Sequence, residues 1–213
     1  MKLTRRDTLL LAASATLATT FGLGAAQAQE GTTKDVAALA NVAIPDKVLG
    51  NADAKVTVIE YASPTCPHCA TFHNDVWPAF KTDYVDTGKV KFVLRPFIRN
   101  LQDAVVFLLA EAAGEEKYHQ VIETYFKTQG TWGVAEKPRE ALLEVAKQLG
   151  FTDETFDAAL ANQELFEKLK AMQEQAANEF KLEGTPTFYV NGKQLTGDKT
   201  LEELKLVIDP LLG

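Results

Sequence analysis

Residues 56–69 read VTVIEYASPTCPHC, and this stretch decides the fold. Its first six residues, 56–61, are mostly apolar and β-branched, which predicts a buried strand. Its last four residues, CPHC at positions 66–69, contain the only two cysteines of the 213-residue chain. Apolar residues at helical spacing follow over residues 70–77, so the cysteine pair is expected to open a helix. A strand, a short loop and a C-x-x-C motif at a helix start indicate a thioredoxin-like redox site.

Residues 1–28 are predicted to be a cleavable export signal. A basic start precedes an uncharged stretch over residues 9–26, and Ala-Gln-Ala at the end of the segment fits the small-x-small cleavage pattern. Arg5 and Arg6 make the start resemble a twin-arginine signal. The mature chain would begin at Gln29 and reach the periplasm. An uncleaved membrane anchor is the alternative, because the uncharged stretch is nearly long enough to span a bilayer.

The chain is acidic. Its formal charge is −7, and removal of the three basic residues and one acidic residue of the predicted signal takes that charge to −9. Nucleic acids and anionic membrane surfaces select basic patches, so we expect neither as the main partner. An exported chain meets an oxidising compartment, where a cysteine pair can cycle through a disulfide. The remaining length is sufficient for one compact unit with a sizeable core.

The fold class is expected to be α/β, a thioredoxin-like fold with an inserted all-helical domain. The predicted parts are an N-terminal leader at 29–54, a thioredoxin-like domain at 55–100 and 182–213, and a helical insertion at 101–181. Pro78 lies inside the predicted cysteine helix and removes a backbone donor there. It therefore predicts a kink near residues 74–77.

Smaller elements follow from periodicity and turn residues. A second strand is predicted at 90–95, and the Asn191-Gly192 turn between two short β-like runs predicts a hairpin. The last helix is predicted to start with a capping box at Thr200 and to end near residues 209–210. The insertion is predicted to contain helices at 101–113, 115–129, 138–149, 153–161 and 163–181.

A family resemblance is carried by four features of this sequence. They are the cysteine motif, the Glu60-Tyr61 strand end before it, the helical insertion, and the run GTPTF at 184–188. Together they resemble the DsbA family of thiol:disulfide oxidoreductases over nearly all of the mature chain. The resemblance implies a thioredoxin fold with a helical insertion and an exported oxidase. It also implies a cis bond before Pro186, facing the cysteines, and a membrane partner of the DsbB type that passes electrons to quinone.

The two cysteines are expected to have different roles. Cys66 would lie at the helix N-terminus, where unpaired amides and the helix dipole favour an anion, and Pro67 suits the first helical position. Cys66 is thus the expected low-pKa thiolate, and Cys69, one turn further on the apolar face, the buried resolving thiol. The imidazole of His68 is expected to stabilise the Cys66 thiolate further. A stabilised thiolate makes the disulfide more oxidising, so the pair should donate disulfides to reduced exported proteins.

Three further residues are candidates for the site. Thr185 and Pro186 are expected to lie beside the cysteines, where the N–H and C=O of Thr185 would pair with an extended substrate. Glu60 shares a predicted strand face with Val56 and Val58. It is therefore either a buried carboxyl near Cys69 that carries protons, or a solvated acid at the strand end.

Other functions remain open from the residues alone. A disulfide isomerase or reductase is one alternative, although residues 29–54 are too short for a separate dimerisation module. A metal-binding protein that uses the cysteines and a histidine such as His73 is another, although a closed zinc site generally needs four ligands. A lone histidine on a helix is more often a surface or packing residue. We expect no cofactor, no resident metal and a monomer.

Overall fold

The computed structural model describes residues 33–213, so the predicted signal and the start at Gln29 lie outside the described residues. The described chain contains a five-stranded sheet with the strand order β1-β3-β2-β4-β5. The strands are β1 (Val48–Gly50), β2 (Val56–Ala62), β3 (Val90–Pro96), β4 (Thr187–Val190) and β5 (Lys193–Thr196). β2 and β3 pair in parallel, and the other neighbours pair antiparallel. The predicted strands that became β2 and β3, and the predicted hairpin β4–β5, are confirmed.

Ten α-helices are described. They are α1 (Val36–Ala40), α2 (Pro67–Thr71), α3 (Trp77–Phe80), α4 (Leu101–Ala112), α5 (Glu115–Lys127), α6 (Gln129–Trp132), α7 (Pro138–Gln148), α8 (Asp153–Leu160), α9 (Gln163–Asn178) and α10 (Leu201–Leu212). Helices α4 to α9 all lie between β3 and β4 in the chain, where a helical insertion was predicted. Among the residues that the structure describes, no helix combines the length and the apolar character of a membrane span.

The structure differs from the predicted elements at three places. β1 lies in the predicted leader, where no strand was expected, and it gains its hydrogen bonds by pairing with β3. α6 forms across a glycine-containing run because Trp132 is fully buried and its indole N–H donates to the Tyr125 carbonyl at 2.8 Å. The predicted end of α10 near residues 209–210 is wrong. The helix continues through Pro210 to Leu212, which packs against the core.

A π-helical turn, Phe72–Val76, interrupts the cysteine helix where a kink was predicted. Pro78 lies in the first turn of the following helix, α3, and has no N–H to donate. Just before it, the Trp77 N–H donates to the Phe72 carbonyl, five residues back, which is π-helical spacing. Both Phe72 and Trp77 are buried, so the wider turn keeps two large side chains in the core.

Apolar residues cover both faces of the sheet, as its parallel centre requires. Along β2, Val56 and Val58 belong to the larger core, which α3, the inserted helices and α10 share. Ile59 and Tyr61 belong to a smaller core on the other face. Because side chains alternate along a strand, Glu60 shares the face of Val56 and Val58, as predicted. This places a carboxyl beneath the cysteine helix.

Candidate active site

The loop after β2 delivers Cys66 to the start of α2. Cys66 has extended backbone angles of φ −80° and ψ 119° and directly precedes the helix, and Pro67 occupies its first turn as predicted. The Cys66 N–H donates to the Ser63 carbonyl at 2.9 Å, which closes the loop into a turn. Cys66 and Cys69 are both buried, and no disulfide joins them in the structure.

The environment of Cys66 favours its anion. The pKa of the Cys66 thiol is lowered to about 5, and the largest cause is a hydrogen bond from the Cys69 thiol. Burial acts in the opposite direction, whereas the Thr185 side chain and the backbone N–H groups of Cys69 and His68 lower the pKa further. At neutral pH Cys66 is therefore mainly a thiolate, in agreement with the sequence-based expectation.

The environment of Cys69 favours its neutral thiol. Cys69 is fully buried, and burial is the main reason that its pKa is raised well above the ordinary value. The hydrogen bond with Cys66 and the negative charges of Glu60 and Cys66 raise it further, while the Ser63 backbone N–H acts in the opposite direction. The pKa values of the two thiols are therefore shifted in opposite directions from the ordinary cysteine value.

His68 is placed differently from the prediction. Its imidazole is exposed, with 63% of the side chain accessible, and its Nδ1 lies 2.7 Å from Asp198 Oδ2. The backbone N–H of His68 lowers the Cys66 pKa, but the imidazole is not among the groups that do so. The physical reason is that α2 directs this side chain towards the loop before α10, where a carboxylate is available.

The segment before β4 meets the cysteine loop as expected. The Thr185–Pro186 peptide bond is cis. In its thiol form Cys66 donates a hydrogen bond to the Thr185 carbonyl, with Sγ and O 3.2 Å apart. Pro186 is buried, and its carbonyl accepts from the Gly197 N–H at 2.9 Å. Thr185 therefore touches the reactive sulfur through its backbone.

Glu60 is buried, which excludes a solvated acid at the strand end. Its Oε2 lies 2.9 Å from His73 Nε2, and both side chains are almost fully inaccessible. The His73 ring stacks on Phe126 with ring centres 4.3 Å apart. Among residues 33–213, neither Glu60 Oε1 nor His73 Nδ1 has a hydrogen-bond partner. In the described part of the chain, no group of three or more His, Cys, Asp or Glu side chains is placed to hold a metal ion.

Three residues that contact the site were missed from the sequence. Asp198 pairs with His68, and Asp103 and Gln129 contact the cysteine loop from the helical insertion. The sequence contains one partial signal for Asp103. Asn100 is a preferred N-cap residue, which would place Asp103, three positions later, in the first turn of a helix. Only the folded chain brings these residues, separated from the cysteines by many positions, to the loop.

Known proteins are similar to this chain in sequence and in fold. A protein-family model described as Thioredoxin matches residues 43–210. The chain is 38% identical over 178 residues to a "Putative protein-disulfide oxidoreductase" of Rickettsia bellii, covering 77% of this chain and 68% of that protein. It spans 60% of a second relative with that description, from Rickettsia felis. The crystal structure of Wolbachia pipientis alpha-DsbA1 is similar with a TM-score of 0.76 and 27% identity, covering 83% of this chain and 96% of that one.

A sheet that carries a C-x-x-C helix opposite a cis proline defines a thioredoxin-fold protein, and the chain belongs to the thioredoxin family. The helices between β3 and β4 and the similarity to alpha-DsbA1 narrow this assignment. Within the family, the chain is a protein-disulfide oxidoreductase of the DsbA type.

Proposed function

We propose that this protein is an exported disulfide oxidase, which donates a Cys66–Cys69 disulfide to reduced substrate proteins. The observation that carries the proposal is the opposite displacement of the two thiol pKa values, down to about 5 at Cys66 and well above the ordinary range at Cys69. Stabilising the reduced form through a thiolate makes the disulfide a stronger oxidant. A less stabilised thiolate, with a pKa of about 7 as in thioredoxin, would favour a reductase.

The first step forms a mixed disulfide. A substrate thiolate attacks the Cys66 sulfur of the oxidised pair, a new S–S bond forms to Cys66, and the Cys66–Cys69 bond breaks. The electron pair of that bond leaves on Cys69. Because burial disfavours an anion at Cys69, this sulfur takes up a proton as it leaves.

The second step releases the product. A second substrate thiolate attacks the substrate sulfur of the mixed disulfide, and the Cys66 sulfur leaves as a thiolate. A leaving thiol of low pKa departs faster, so the value of about 5 at Cys66 favours this step. Two substrate thiols have then lost two electrons to the enzyme. One of their protons resides on Cys69, and the other has gone to solvent.

Glu60 is the proposed carrier of the proton that Cys69 gains and later loses. Its negative charge raises the Cys69 pKa, and this electrostatic effect supports the proposed role. Its Oε1 has no hydrogen-bond partner in the described part of the chain and is therefore available for a proton or for a bridging water. His73 occupies the other carboxylate oxygen and fixes the orientation of the carboxyl group.

The location and the partners are proposed from the sequence. The predicted signal supports export to the periplasm, where reduced exported proteins would be the substrates and the protein would act as a monomer. A membrane partner of the DsbB type that passes electrons to quinone would restore the disulfide. The backbone of Thr185, next to Cys66, is the proposed pairing edge for an extended substrate.

A comparison of two substrates tests the proposed direction of exchange. The oxidised protein is mixed with a reduced two-cysteine peptide, and in parallel the reduced protein is mixed with a scrambled multi-disulfide protein. The proposal predicts fast, stoichiometric oxidation of the peptide and poor reshuffling of the scrambled protein. Efficient reshuffling together with poor peptide oxidation would instead identify an isomerase.

A further inference from the structure

We propose that the helical insertion tunes the cysteine pair, because Asp103 and Gln129 hold the backbone of the loop at residues 63–66 in its reactive geometry. Both are positioning residues and touch no reacting sulfur. The inference rests on the proposed function, since it concerns the oxidising strength of the same pair. It assigns to the insertion a part in the chemistry as well as in the fold.

Asp103 is a buried carboxylate that accepts hydrogen bonds from the loop. Its Oδ1 accepts from the Thr65 N–H at 2.7 Å, and its Oδ2 accepts from the Ser63 hydroxyl at 2.8 Å. Oδ2 also accepts from the Arg99 N–H at 2.8 Å, at the start of α4. Burying a charge is costly unless hydrogen bonds compensate it, and these three short bonds do so. The loop is thus tied to the first helix of the insertion.

Gln129 donates hydrogen bonds to the same loop. Its Nε2 lies 2.7 Å from the Pro64 carbonyl and 2.9 Å from the Cys66 carbonyl, so one amide group spans two peptide units. The Cys66 carbonyl also accepts from the Ala70 N–H at 3.1 Å, which is the first hydrogen bond of the cysteine helix. Gln129 therefore fixes the peptide unit at which that helix begins.

Together the two side chains fix one polar group on each of four consecutive residues. These groups are the Ser63 hydroxyl, the Pro64 carbonyl, the Thr65 N–H and the Cys66 carbonyl. Asp103 supplies only acceptors and Gln129 supplies only donors to the loop. Sliding or turning the loop would break several of these bonds at once, so the arrangement specifies a single loop position.

The loop position matters because backbone amides act on both sulfurs. The N–H groups of His68 and Cys69 lower the Cys66 pKa, and the Ser63 backbone lowers the Cys69 pKa. Hydrogen bonds weaken steeply as their angle departs from linearity, so a small shift of the loop would weaken this set of contacts. Donors fixed in advance stabilise an anion more than donors that must reorganise.

The test uses Asp103→Asn and Gln129→Met in the full mature chain, with Tyr125→Phe as the matched control. Asp103→Asn leaves one loop donor facing an amide NH₂, and Gln129→Met keeps the side-chain length without its donors. Tyr125→Phe removes a buried 2.7 Å hydrogen bond to the Leu142 carbonyl inside the insertion, away from the loop. Each protein is measured for thermal unfolding, for thiolate absorbance against pH, and for its redox equilibrium with glutathione.

Both loop variants are expected to raise the apparent pKa of Cys66 by about one unit, a tenfold change in its acid dissociation. The glutathione equilibrium should shift about tenfold towards a weaker oxidant. Loss of the Asp103 charge alone would change the Cys66 pKa in the opposite direction, so a rise reports geometry. The control should unfold at a lower temperature without either redox change.

The inference is overturned if folded Gln129→Met has the same Cys66 pKa and the same equilibrium with glutathione as the parent protein. This outcome does not depend on whether Asp103→Asn folds. It is also overturned if Tyr125→Phe shifts the titration as far as the loop variants do, because general loosening would then be the cause. An ordinary cysteine pKa in the parent protein contradicts the proposed function instead. The two failures are therefore distinguishable.

Discussion

Ionisation of Cys66 is by itself expected to make the reduced protein more stable as the pH rises from about 5 to about 8. The pKa of Cys66 is about 5 in the folded protein, against an ordinary cysteine value of 9.0. Between these values the unfolded chain holds a proton that the folded chain has lost. Unfolding therefore takes up a proton, so stability rises with pH in this window and is lost as the pH falls through about 5.

The size of this effect follows from the pKa difference. Each pH unit inside the window corresponds to about 1.4 kcal/mol for one proton. Three units, reduced by partial protonation of the folded thiol near its own pKa, give about 3 to 4 kcal/mol. This is a large share of the stability of a typical domain, which is about 5 to 15 kcal/mol.

Urea unfolding of the reduced protein and of Cys66→Ala, at several pH values, isolates the contribution. Every other titrating group is present in both proteins, so the difference between their free energies of unfolding reports Cys66. We expect that difference to grow by about 3 to 4 kcal/mol in favour of the parent protein between pH 5 and pH 8. A difference that stays constant over this range would refute the stabilised thiolate.

Four substitutions test other parts of the site and the fold. Cys69→Ser mixed with a disulfide-bonded substrate should accumulate mixed disulfides, visible on non-reducing gels, because the Cys66 thiolate attacks the substrate disulfide and no second enzyme thiol can resolve the product; full catalytic oxidation would reverse the assigned roles. Glu60→Gln should slow the thiol exchange seen by stopped-flow about 100-fold, as loss of a proton carrier does, and an unchanged rate would remove it from the mechanism. His68→Ala should leave the Cys66 pKa close to its parent value, because the exposed imidazole is not among the groups that lower it and the backbone N–H at this position remains; a clear rise towards an ordinary value would mean that the imidazole stabilises the thiolate. Asp46→Ala should lower the free energy of unfolding by about 3 to 5 kcal/mol, measured in urea, because it leaves the buried Arg95 guanidinium without its two carboxylate contacts.

The core of the site was predictable because its residues are close in sequence or carry strong local signals. A buried strand followed by CPHC places both thiols at a helix start, and alternation along β2 puts Glu60 beneath that helix. The turn at Asn191-Gly192 predicted the hairpin correctly. These features are local in sequence: a turn motif, and the side-chain periods of two residues in strands and about four in helices.

The contacts missed from the sequence depend on distant residues. The direction of the His68 imidazole is decided by Asp198, which lies 130 positions away in the chain. Burial of Trp132 overrides the low helix propensity of Gly130 in the same helix, and β1 forms because β3 offers a free edge. Asp103 and Gln129 reach the cysteine loop only after the insertion has packed. These contacts and elements depend on tertiary packing between distant parts of the chain, which local sequence patterns do not reveal.

The equilibrium of the cysteine pair with glutathione tests the central claim most directly. If a stabilised Cys66 thiolate makes this protein a donor of disulfides, its reduction potential should lie well above the roughly −270 mV of thioredoxin, near the oxidising end of the family. A potential at or below that of thioredoxin would contradict the account and identify a reductase.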